Sequence, residues 1–204
     1  MKWLWLLLLA SVALAGDGAR LYYSRTFPGS APPYFDITLE SNGDVVYREA
    51  VDDDFPTKFR LSDSETAQVF GLADKLDHFK HPLESPLKVA FMGTKIFRYE
   101  LGAEKDEVKF NYTEDLNGQA LLDWFERMAD SAQQRDNLER AAKYDHLGVM
   151  HAVELLAGAY ERKRMVGLDQ FLPILDRISK NENYMHQARA LAAEIAESIR
   201  KGGP

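Results

Sequence analysis

The chain has 204 residues, of which 46% are hydrophobic, 28% are charged and none is cysteine. That composition excludes a disordered or fibrous protein, and the missing cysteine excludes disulfide scaffolds, thiolate zinc sites, iron–sulfur clusters and cysteine nucleophiles. The net charge of −7 argues against nucleic acid and anionic membrane surfaces as partners.

Residues 1–15 read as a secretory signal peptide. Lys2 supplies the positive start, Trp3 to Leu9 form an apolar run, and Ala13-Leu14-Ala15 is a small-x-small cleavage site, so the mature chain is expected to begin at Gly16. No later stretch is apolar enough for a bilayer span. The expectation is an exported protein, periplasmic or extracellular.

The next hundred residues alternate with a period of two, the signature of strands with one buried face. Phe35, Ile37 and Leu39 alternate with polar neighbours, Asn42-Gly43-Asp44 supplies a tight turn, and Val45 to Val51 returns. Lys58 to Leu61 alternates again. Ser62-Asp63-Ser64-Glu65 is a capping box opening a helix striped by Val69, Leu72, Leu76 and Phe79, which His81-Pro82 stops. Phe97, Tyr99 and Leu101, then Val108, Phe110 and Tyr112, predict a second hairpin. A second helix follows, with Leu121, Trp124, Phe125 and Met128 on its apolar side.

Composition changes near residue 117. Residues 16–116 hold 19 Asp/Glu against 12 Lys/Arg, whereas residues 117–204 are nearly balanced and rich in Ala, Leu and Glu. Three more helices are expected, striped by Val149 to Tyr160, by Leu172 to Ile178, and by Met185 to Ile199, with Gly148 a possible kink. The predicted fold class is α+β: an antiparallel sheet of four to five strands with two helices on one face, in the order hairpin-helix-hairpin-helix, then a C-terminal helical bundle. The expected domains are 1–15 (signal peptide), 16–135 (α+β) and 136–204 (helical). Trp124 is expected to be buried, with Ala188 and Ala192 packed close against that helix.

The segment Arg25-Thr26-Phe27-Pro28-Gly29 through Pro33-Tyr34, then Ile37 and Gly43-Asp44-Val45-Val46-Tyr47, resembles a domain family of unknown function found in exported bacterial proteins. The resemblance covers about residues 20–135. Many members carry cysteines around the early glycine, where this chain has Phe27 and Ala31. It implies an exported α+β domain and carries over no active site.

Few residue sets carry chemistry. His78 and His81, with Asp77 and Glu84 nearby, are a weak metal candidate, since two histidines fall short of a usual zinc set and both sit at a helix end. Asp52-Asp53-Asp54 is a second, but lacks calcium-loop spacing. No nucleophile elbow, phosphate-cradling glycine pattern or paired metal-bundle motif occurs. Asn111-Tyr112-Thr113 is a glycosylation sequon if the host glycosylates. No cofactor is expected.

The leading expectation is therefore an exported, non-enzymatic binding or inhibitor-like module with a protein partner in the cell envelope. It would use the sheet face that the helices leave open, where Tyr34, Thr38, Glu40, Arg98 and Glu100 should stand. The alternatives are a hydrolase using acidic residues or histidines in an inter-domain groove, and a structural subunit of an envelope complex. A deep pocket with converging polar groups would favour the enzyme, and a flat, partly aromatic face the binder.

Overall fold

The computed structural model describes residues 18–203, so the signal peptide expected over residues 1–15 lies outside the described residues. Six strands form one fully antiparallel sheet: β1 (Arg20–Thr26), β2 (Tyr34–Glu40), β3 (Asp44–Arg48), β4 (Thr57–Arg60), β5 (Thr94–Leu101) and β6 (Glu104–Phe110). Their order is β4-β3-β2-β1-β5-β6. The α+β class stands, but the count of four to five strands is corrected to six. The missing strand is β1, and it lies near the sheet centre, paired along its length with both β2 and β5. The order is four strands, helix, hairpin, helix.

Register decides which residues are buried. Leu21 faces Leu39 and Tyr99, and Tyr23 faces Ile37 and Phe97, so one face is a continuous apolar layer. Helix α1 (Asp63–Lys75) and the first half of α2 (Leu116–Tyr144) cover that layer. The capping box at the start of α1 forms in both directions. At the start of α2, the Asp115 carboxylate accepts hydrogen bonds from the Asn117 and Gly118 amides. Phe125 stacks on Tyr23 at 5.0 Å between ring centroids, and Phe79 on Phe97 at 5.3 Å.

Helix α2 runs without interruption through residue 135, the expected domain boundary, and ends at Tyr144. Its early turns belong to the sheet core, and Leu138 belongs to a second core formed with α3 (Val149–Glu161), α4 (Leu172–Lys180) and α5 (His186–Arg200). Gly148 caps α3 rather than kinking a longer helix. The helical part docks on the sheet part through the segment between α3 and α4. Arg164 bridges Asp123 and Asp130, the Val166 amide donates to Ser131 Oγ at 2.9 Å, and Val166 sits in the sheet core.

Trp124 is buried at 9% exposure, but in the sheet core, with the Arg127 guanidinium 4.0 Å over its ring. Ala188 and Ala192 lie in the second core, so the expected packing of those alanines on Trp124's helical neighbourhood is replaced by the docked segment. No helix among the described residues is long and apolar enough to cross a membrane.

Candidate functional site: the open sheet face

The two covering helices lie on one side of the sheet, and no element among the described residues packs on the other. Strand alternation puts Tyr22, Tyr34, Asp36, Thr38, Glu40, Arg48, Arg98 and Glu100 on that open side. All five residues expected there from sequence, Tyr34, Thr38, Glu40, Arg98 and Glu100, therefore share one face. Thr38 sits mid-sheet, between Tyr22 of β1 and Val46 of β3.

The polar side chains on this face are tied together. The Tyr22 and Tyr34 hydroxyls lie 3.3 Å apart, the Tyr34 hydroxyl donates to Asp36 Oδ2 at 3.0 Å, and Arg48 donates to Asp36 Oδ1 at 3.2 Å. Asp36 is only 4% exposed, so its carboxylate is lodged between the phenol and the guanidinium. Arg98 lies 4.5 Å over the Tyr22 ring and pairs with Glu107 through Nε at 2.7 Å. Arg20 pairs with Glu40 at 2.8 Å and reaches Glu100 at 3.7 Å. Burial, then the hydrogen bonds to Tyr22 and Asp36, holds the Tyr34 phenol protonated well above the usual tyrosine range.

Charge separates this face from the rest of the molecule. Seven cations (Arg20, Arg48, Lys58, Arg60, Arg98, Lys105 and Lys109) meet five carboxylates (Asp36, Glu40, Asp44, Glu100 and Glu107), a net of +2 on a chain of −7.

Beside the face, along β4, runs an open groove of about 1310 Å³ between the sheet and the helical part. Glu40, Val46, Lys58 and Arg60 line the sheet side, and Leu168, Asp169 and Pro173 the helical side. Neither His78 nor His81 lines it. His78 Nε2 lies 2.8 Å from Asp74, with its ring stacked 4.0 Å from Tyr99, while His81 pairs with Asp77 at 3.2 Å. The two rings answer to different carboxylates because the backbone from Asp77 to Phe79 is left-handed, with φ of 48°, 52° and 70°. Asp52, Asp53 and Asp54 lie in the β3–β4 connection, where Asp53 accepts the Phe55 amide at 2.9 Å as a turn brace. Among the described residues no group of three or more histidines and carboxylates is placed to hold a metal.

Sequence reasoning missed Tyr22, Asp36, Arg48 and Arg20. For Arg20 and Tyr22 the signal was the alternation of Leu21 and Tyr23 with Tyr22 and Ser24, which the adjacent tyrosines and Arg25 on the covered face obscure; for Asp36 and Arg48 it was their place on the polar side of the strands that the alternation already marked. The chain matches no known family model and no curated protein.

Proposed function

We propose that the chain is an exported, non-enzymatic binding module that takes a protein partner of the cell envelope on its open sheet face. The observation that carries this reading is a net-positive, internally tied face on a net-negative chain, with no covering layer among the described residues. Tyr22, Tyr34, Arg48 and Arg98 are already held by their neighbours, so little side-chain freedom is lost when a partner arrives. Tyrosine and arginine are also the residues that contribute most at protein interfaces. The charge balance favours a partner surface that is acidic.

The test uses the chain from Gly16 onward, immobilised and exposed to envelope extract, beside a Thr38→Glu variant. Thr38 takes part in no ion pair, so the variant adds one negative charge at mid-face without breaking the network. A partner that Thr38→Glu fails to retain, and that high salt releases from the unaltered chain, supports the reading. Equal capture by both chains removes this face from the interaction.

A further inference from the structure

The segment from Pro86 to Met92, ahead of β5, has no helix or strand, yet it exposes Leu87, Val89, Phe91 and Met92. Phe91 is 57% exposed and Leu87 54%. A loop of this composition would normally collapse onto the core. Here the scaffold holds its backbone outward. Asn111 grips both sides of Phe91: its Nδ2 donates to the Ala90 carbonyl at 3.1 Å, and its Oδ1 accepts from the Met92 amide at 2.6 Å. Lys95, only 6% exposed, donates to the carbonyls of Met92 at 3.0 Å and Asn111 at 2.7 Å. At the other end, Ser85 accepts the Leu87 amide and binds Glu114. Phe27 meets the Phe91 ring edge-on at 6.0 Å. Between these clamps, the N–H and C=O of Phe91 itself have no protein partner among the described residues.

We propose that this loop is an inhibitory segment that seats Phe91 in the primary pocket of an endopeptidase selective for large apolar side chains. Such an enzyme grips an extended chain by pairing with main-chain N–H and C=O groups and takes one side chain into a pocket. Phe91 offers a free N–H, a free C=O and an exposed aromatic ring together. A flexible loop with those features is a substrate. A loop tethered on both sides of the scissile position pays little ordering cost on binding, and its two ends stay together if the Phe91–Met92 bond is opened. Asn111 supplies that tether directly across Phe91. An anionic lipid surface is a poorer match, because Lys88 is the segment's one cation and Glu84 and Glu114 brace its base.

This surface is separate from the open sheet face, so Thr38→Glu leaves it intact, and either assignment can fail alone. The experiment titrates chymotrypsin and, in parallel, trypsin with the chain from Gly16 onward, reading residual activity on a chromogenic peptide. Chymotrypsin should be inhibited and trypsin spared. Phe91→Lys should weaken chymotrypsin inhibition by roughly 100-fold and create inhibition of trypsin. Asn111→Ala should turn the loop into a substrate cut between Phe91 and Met92, seen by mass spectrometry. Phe91→Ala, which adds no charge, should lose chymotrypsin inhibition alike and guards against misfolding of the lysine variant. Uninhibited chymotrypsin, or Phe91 variants that inhibit as well as the parent, would overturn the proposal.

Discussion

Beneath the sheet's covered face, Glu126 on α2 joins two buried groups from β1. It accepts the Tyr23 hydroxyl at 2.7 Å and Arg25 at 2.9 Å, and the Arg25 guanidinium lies 4.7 Å from the Phe35 ring centroid. Glu126→Ala leaves a buried phenol and a three-quarters-buried guanidinium without their acceptor. The expected loss is about 2–3 kcal/mol in urea unfolding, with Glu126→Gln recovering part of it because an amide oxygen still accepts. Burial, reinforced by the Glu126 carboxylate, pushes the Tyr23 hydroxyl well above its ordinary range, and burial raises Tyr47 as well. The folded state therefore holds these protons more tightly than the unfolded chain, whose tyrosines titrate near about pH 10. The stability they confer is complete below that pH and drains away as pH climbs past it. Unfolding midpoints measured upward from neutral pH should hold level, then fall beyond about pH 10, and Tyr23→Phe should flatten that fall. None of this was legible in the sequence, because Arg25 and Glu126 are about a hundred residues apart and β1 lacks the clean alternation that marks a strand.

Strands with clean alternation declared themselves. β2 and β5 each carry three apolar residues at steps of two, and α1 announced its first turn through Ser62 and Glu65. The elements that escaped are set by tertiary contacts. The expected strand through Val108 and Phe110 extends back over the charged Glu104 to Glu107 because β5 pairs with them, and α2 crosses the expected domain boundary at residue 135 because two cores share it. The last helix starts at Met185 with no side-chain cap, and Asn181 braces the turn before it. One backbone position in the join between the halves is packed especially tightly. Gly167 has φ of 58°, and a Cβ there would lie 2.8 Å from the Arg60 carbonyl on edge strand β4 and 3.0 Å from Phe59. Gly102 has nearly the same φ, 57°, with nothing within 4 Å. The pair separates strain from collision. Gly102→Ala should cost about 1–2 kcal/mol, the left-handed penalty alone. Gly167→Ala should cost about 2–4 kcal/mol, because the methyl also forces β4 and the docked segment apart. Urea titrations of the two variants check this, and equal losses would mean the β4 contact yields without resistance.

At the scale of the whole molecule, two hydrophobic cores hang on one 29-residue helix. Between them, α2 makes the contacts that fix the far edge of the sheet: Gln133 donates to the Tyr47 hydroxyl, Arg135 to the Lys58 carbonyl, and Thr57 to Asp136. If the helical core opened alone, α2 would fray back from Leu138 into these turns. It would strip β3 and β4 of partners and leave Arg164 and Val166 without the surface they dock on. Partial unfolding therefore uncovers both cores, and the halves should melt as one unit. Trp124 reports on the sheet core alone, whereas helical circular dichroism is weighted toward the second core. In a chain starting at Gly16, which removes Trp3 and Trp5, the two signals should trace the same urea transition. The sharper test perturbs one core and reads the other. Ile195 is 4% exposed within the helical core, and Ile195→Ala should cost about 2–5 kcal/mol for the cavity it leaves. In a single cooperative unit the Trp124 midpoint must fall by as much as the dichroism midpoint, although the substitution lies in the other core. A dichroism midpoint that drops while Trp124 fluorescence holds would show that α2 is a hinge and that the two halves fold independently.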